Sequence, residues 1–208
     1  ICFQGFIGWY MVSSGLVDRI DVSHYRLAVH LMIAFIILSL ILWNYLDLKA
    51  LNFPERSISF YLSLFLLFII YAQISIGAFV SGMDAGTIYN TWPLMGPSYF
   101  PDDNKISNLF ALSAFNDPSL VQFIHRNLAY LIIFFYIYIF FKIYRNKLKR
   151  LYGPINLIGL FLIIQVILGI FTLINGAQIY LASMHQISSI FLVSSCIYFL
   201  YLNKQVTN

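Results

Sequence analysis

The chain is 208 residues long, 61% hydrophobic and only 10% charged, with an aromatic share of 18%. A soluble domain of this size needs more charge to cover its surface, so the composition excludes one and points to an integral membrane protein. The net charge of +4 is gathered in particular loops, which makes it a report on topology rather than on a nucleic-acid partner.

The first apolar run, 1–12, is shorter than the about 20 residues a bilayer needs, and it lacks the basic flank and cleavage site of a signal peptide. It reads as the end of a spanning helix that continues upstream. Five longer runs follow, at 25–46, 58–81, 120–141, 155–175 and 180–202, making six transmembrane segments with the first. Cys2 and Cys196 both sit in apolar runs and read as small core residues, not as a disulfide framework.

The loops give the orientation. Lys142, Arg145, Lys147, Lys149 and Arg150 follow the 120–141 run, Lys49 and Arg56 follow 25–46, and Lys204 lies near the end of the chain. If the runs alternate, all of these fall on one side, which is the cytoplasmic one by the positive-inside rule. Asp18, Asp21, Asp84, Asp102, Asp103 and Asp117 fall on the other, most of them in the long loop 82–118.

A repeat runs through this plan. "QGFIG" (Gln4 to Gly8), "QISIG" (Gln73 to Gly77) and "QVILG" (Gln165 to Gly169) each lie in a run heading outward. The run that returns carries one histidine near its outer end, His30, His125 or His185, with a small residue four positions on, Ala34, Ala129 or Ser189. The unit is a helical hairpin, a Gln/Gly helix followed by a His/small helix. At 1.5 Å per residue all three imidazoles sit roughly 8–9 Å below the outer end, in one layer.

Several readings of these residues remain open at this point. The glycines could serve close helix packing or leave recesses for a flat macrocycle between helices. The histidines could be hydrogen-bonded core groups, or axial ligands of haem iron. Arg126, which follows His125, and Arg26, four residues before His30, could snorkel to headgroups or pair with haem propionates through their guanidinium forks. His24 precedes its run, stands outside the repeat and reads as a loop residue. A bare metal site fits less well, because no cysteine or carboxylate shares the histidine layer. No nucleophile motif of the G-x-S-x-G kind is present. Two ligands suffice for a bis-histidine haem. His125 and His185 belong to the last two hairpins, which together form a four-helix bundle, whereas His30 lacks a partner that a further upstream hairpin would supply.

The stretches "QGFIGWYMVSSGL", "YRLAVHL", "GAFVSGMDAGTIYNTWPLM", "FNDPSLVQFIHRNLAYL" and "QVILGIFTL" followed by "HQ" carry a resemblance along essentially the whole chain. It resembles the haem A synthase family, and the lack of a cysteine pair in an outer loop suggests the cysteine-free type of alphaproteobacteria and mitochondria. The resemblance implies an all-α polytopic fold of eight transmembrane helices in two similar four-helix bundles, about six of them present here. Residues 1–57 would be the remainder of the N-terminal bundle. Residues 58–208 would be the C-terminal, haem b-binding one, with the long outer loop 82–118. The implied activity of the family is oxidation of the C8 methyl of haem O to a formyl group, giving haem A for cytochrome c oxidase, with the present chain expected to be an incomplete fragment that need not be active alone.

By the same resemblance, His125 and His185 match the axial ligands of haem b, and His30 matches a ligand of the substrate haem. That ligand's partner histidine and an activity-linked glutamate would lie upstream of Ile1. Arg126 and Arg26 would then anchor propionates. The expected partners are membrane lipid, haem O handed over by haem O synthase, an electron donor of unnamed kind and further copies of the chain. The expected location is a bacterial inner membrane in preference to a mitochondrial one. The alternative is a membrane bis-histidine cytochrome b acting only in electron transfer.

Overall fold

The computed structural model describes residues 2–13, 22–49 and 58–204. Asp18, Asp21, Arg56 and the division between 57 and 58 therefore fall outside or at the edge of the described residues. All regular structure is helical apart from one isolated bridge between Met95 and Ser98. The helices are α1 (Cys2–Ser13), α2 (His24–Leu48), α3 (Phe60–Gly82), α4 (Pro118–Arg145), α5 (Tyr152–Ile174) and α6 (Ile179–Leu202). Among the described residues five are long and apolar enough to cross a membrane, α2 to α6. The chain is thus an all-α protein of the polytopic membrane class.

The helix ends follow local chemistry. The Asp117 side chain accepts from the Leu120 N–H at 3.0 Å, and Pro118 opens α4 where no N–H is needed. Lys142 and Arg145 lie in the last turn of α4, where cations suit the helix dipole. Between α5 and α6 the chain turns on Gly176, whose φ of +67° favours glycine. The expected loop residue His24 is instead the first residue of α2. Its ring lies 5.1 Å from that of Phe79 near the end of α3, a contact between segments far apart in sequence.

Packing runs α3 on α4, α4 on α5, α5 on α6 and α6 back on α3, so α4 and α6 stand diagonally across the interior. The hairpin of α1 and α2 lies outside this ring, with α2 packed on α3 and α6. The dry core fills the inner half of the helices, around Leu66, Ile70, Ile139, Ile143, Ile155, Ile158, Val193 and Phe199. Lys204 at the end of α6 pairs with Asp47 at the end of α2 at 3.1 Å, which puts those two ends on one side as alternation requires. Lipid gives little apolar drive between helices, so close van der Waals fit carries the assembly.

One such fit is testable. A Cβ on Gly82 would lie 2.8 Å from both Cα and Cβ of His24, and backbone cannot swing aside as a side-chain tip can. Gly82→Ala is therefore expected to cost about 1–3 kcal/mol, the usual range for overpacking, read as earlier thermal unfolding in detergent.

Candidate functional site

Above the dry core the packing changes. No residue within 123–131, 163–174 or 179–187 is buried, and within 71–77 all are half-buried. The outer half of the α3–α6 ring is therefore less tightly packed than the inner half. All three histidines lie at this level. His30 is in α2, His125 in α4 and His185 in α6, each six or seven residues from the start of its helix. That is about 9–10 Å along the axis.

Each histidine meets the glutamine and glycine of its own hairpin in the same way. The amide Nε2 of Gln4 donates to the His30 carbonyl at 3.0 Å. Gln73 does so to His125 at 3.1 Å, and Gln165 to His185 at 2.9 Å. The glycine four residues on faces the ring. A Cβ on Gly8, Gly77 or Gly169 would lie 3.1, 3.1 or 3.2 Å from Cε1 of His30, His125 or His185. The glycine recess is thus filled by the imidazole itself, where the sequence left open close packing or room for a macrocycle.

The units differ in the ring nitrogens. Gln4 Nε2 lies 3.3 Å from both nitrogens of His30. Gln73 Nε2 lies 3.2 Å from Nε2 of His125. Nδ1 of His125 and Nδ1 of His185 are buried and have no hydrogen-bond partner among the described residues. A buried polar atom without a partner calls for an explanation. His125 and His185 are also close enough to interact electrostatically, from diagonal helices.

A bare ion needs three or four protein ligands, and among the described residues no group of three or more His, Cys, Asp or Glu could hold one. A macrocyclic metal brings its own equatorial nitrogens and needs only one or two axial donors. The donor set fits a haem.

Sequence reading did not find Ser188. Its hydroxyl takes a bond from Gln165 Nε2 at 2.6 Å and donates to the His185 carbonyl at 3.0 Å, three residues after the histidine. Ser189, the expected small neighbour, donates to the Gln186 carbonyl instead. The other units carry Ile33 and Leu128 at the equivalent place, so the repeat gave no signal for it.

The outer loop closes the layer from above, and Arg126 holds it. One guanidinium nitrogen, Nη1, donates to the carbonyls of Thr91 at 2.9 Å and Leu94 at 3.1 Å, while Nη2 donates to Tyr89 at 3.0 Å. The buried Gln122 adds a bond to the Tyr89 carbonyl at 3.0 Å. Asn90 donates to the Leu173 carbonyl in the last turn of α5 at 2.8 Å, and Trp92 Nε1 donates to the Tyr130 hydroxyl at 3.1 Å. The Tyr89 hydroxyl donates to Asp102. Partial burial and that bond raise it to about 12, so it stays protonated and remains the donor near neutral pH. Arg126 keeps a buried Nε without a partner. Arg26 stacks over the Tyr10 ring at 5.1 Å and keeps a buried Nη1 without one.

A family model described as "Cytochrome oxidase assembly protein" matches residues 1–197. A heme A synthase of Pelagibacter ubique is 45% identical over 204 residues, covering 98% of this chain and 60% of the relative. One from Flavobacterium johnsoniae is 40% identical over 207 residues, with 96% and 60% covered. One from Rickettsia prowazekii is 38% identical over 209 residues, with 98% and 62% covered. The chain thus spans about 60% of the length of these curated relatives. With bacterial relatives and five long apolar helices, it is a multi-pass protein of a bacterial inner membrane.

The cysteine-free type expected from the sequence is corrected. The chain carries two cysteines, Cys2 exposed on α1 and Cys196 buried in α6. Both are helical, so an outer loop without cysteine did not describe the whole chain.

Proposed function

The chain belongs to the cytochrome oxidase assembly protein family, and from that premise we propose that it works in haem A synthesis. The reaction is oxidation of the C8 methyl of haem O to a formyl group, giving haem A for cytochrome c oxidase, in keeping with the relatives' name, heme A synthase. His125 and His185 would hold the iron of a haem b between α4 and α6. His30 is a ligand of the substrate haem on the α1–α2 side. Residues 58–208 are one four-helix bundle and residues 1–57 part of a second, six spans of an eight-span plan. Haem O synthase as the source of haem O, an electron donor and further copies of the chain are the proposed partners.

The observation that carries the reading is the pair of histidines that two diagonal helices bring to one level of the outer layer, each with a buried, unpartnered ring nitrogen. When bound, haem supplies the redox chemistry. The chain's own residues bind and orient it. The two imidazoles would hold its iron. Arg126 would offer a buried guanidinium nitrogen to the propionates of haem b, and Arg26, four residues before His30, to those of the substrate haem. The loop held by Arg126 and Asn90 keeps water out of the layer.

The test is a reduced-minus-oxidised spectrum of the chain purified in detergent from haem-replete cells, with mass analysis of its haems. A low-spin b-type band at about one haem per chain, together with a formyl haem, supports the proposal. The formyl arm is read on the chain extended upstream of Ile1, where a b-type band with no formyl haem returns it to the electron-transfer cytochrome. No haem at all overturns the ligand assignment.

A further inference from the structure

We propose that Gln73 with Gly77, and Gln165 with Gly169, are positioning residues that set the tilt and rotation of the His125 and His185 rings before haem arrives. The inference rests on the ligand reading above and goes beyond it, because it gives a purpose to residues that are not themselves ligands.

Glutamine and glycine four residues apart lie one turn apart on one face of a helix. That face is turned to the histidine helix of the same hairpin. The glutamine clasps the histidine's backbone carbonyl, at 3.1 Å in one unit and 2.9 Å in the other, so the turn that carries the ring is tied to its neighbour. The glycine forms the floor. The ring rests where a Cβ would stand only 3.1–3.2 Å from Cε1, tighter than ordinary contact. Any side chain larger than glycine there moves the imidazole.

The third unit repeats both contacts, with Gln4 on the His30 carbonyl at 3.0 Å and a Gly8 Cβ at 3.1 Å from its ring. Helix packing alone asks only for small residues at a crossing. It does not ask for an amide on the same carbonyl three times, each paired with a glycine under the same ring atom. In the α6 unit Ser188 adds a second donor to that carbonyl.

Groups that orient a ligating histidine govern both affinity and the electronic character of the iron, typically by 10–100-fold in affinity. The readout is therefore the low-spin electron paramagnetic resonance spectrum and the haem content of the purified, haem-loaded chain. Gly77→Ala and Gly169→Ala are expected to displace the g-anisotropy of the low-spin signal while haem per chain holds. Gly153→Ala is the control, since a Cβ there meets nothing within 4 Å, and its spectrum is expected to match wild type.

If a glycine variant fails to accumulate or loses its haem, Gln73→Met and Gln165→Met decide, because they remove the clasp at similar volume without crowding the ring. A displaced signal with haem retention weakened about tenfold supports the proposal. Wild-type signals and retention in the variants that hold haem overturn it. A wild-type chain that carries no low-spin haem overturns the ligand reading and the proposal together. Normal wild-type haem with unmoved variants overturns the proposal alone.

Discussion

His125→Ala or His185→Ala is expected to remove the low-spin haem signal while the chain still inserts in the membrane. Loss of an outer group that merely orients a ligand costs about 10–100-fold in metal affinity, and loss of the ligand itself costs at least that. Insertion is expected to survive because it rests on the apolar length of α4 and α6 and on the dry core in their inner halves, and neither histidine belongs to that core. Each substitution also leaves a space of imidazole size over Gly77 or Gly169. Added imidazole is therefore expected to restore part of the signal in these two variants. His24→Ala removes another of the four histidines and is expected to leave the signal as it is. Difference spectra and haem per chain read all of these. A full signal in both His125→Ala and His185→Ala would sink the assignment.

The sequence disclosed the helices well and the contacts between them poorly. Apolar runs of bilayer length are a property of the chain alone, so the five long helices matched their runs to within a few residues, apart from the extra turn and more of α4 past 141. His24 was misplaced because a helix start depends on which residues it packs against, here Phe79 and Gly82, more than fifty positions away. The Gln/Gly/His repeat was visible as a pattern. Its meaning was not, because a glycine in sequence tells that space is left and not what fills it. Ser188 broke no pattern and so gave no sign. The cysteine-free label came from one loop, and Cys2 and Cys196 in the helices overturned it. Arg126 was read as a headgroup or propionate partner because sequence can suggest a partner for a charge only by type. Its observed partners are backbone carbonyls 32 to 37 positions away, which every residue possesses.

Those carbonyls make Arg126→Ala the second large effect. Bonds from a charged donor are worth about 1.5–3 kcal/mol each when shielded, and less for this half-exposed side chain, so losing three is expected to cost about 2–4 kcal/mol locally. The loss falls on the stretch from Tyr89 to Leu94, since Asn90 on α5 and Trp92 on Tyr130 still hold the loop down. The amides of Met95 and Gly96 report it. The first bonds the Ser98 carbonyl at 2.7 Å and the second the Thr91 hydroxyl at 2.8 Å, both within the loop that Arg126 pins. Their hydrogen exchange is expected to speed up roughly 30-fold or more, at about 1.4 kcal/mol per factor of ten. Ligation by His125 and His185 is expected to persist, with faster loss of haem to an acceptor protein. Arg126→Lys keeps the charge but not the fork that spans three acceptors, so it is expected to recover only part of the protection. The two readouts separate the two roles of the residue. Faster exchange with unchanged haem loss would make Arg126 a loop anchor only. Faster haem loss with unchanged exchange would mean that a propionate is its important partner and that the loop is held by Gln122, Asn90 and Trp92 without it.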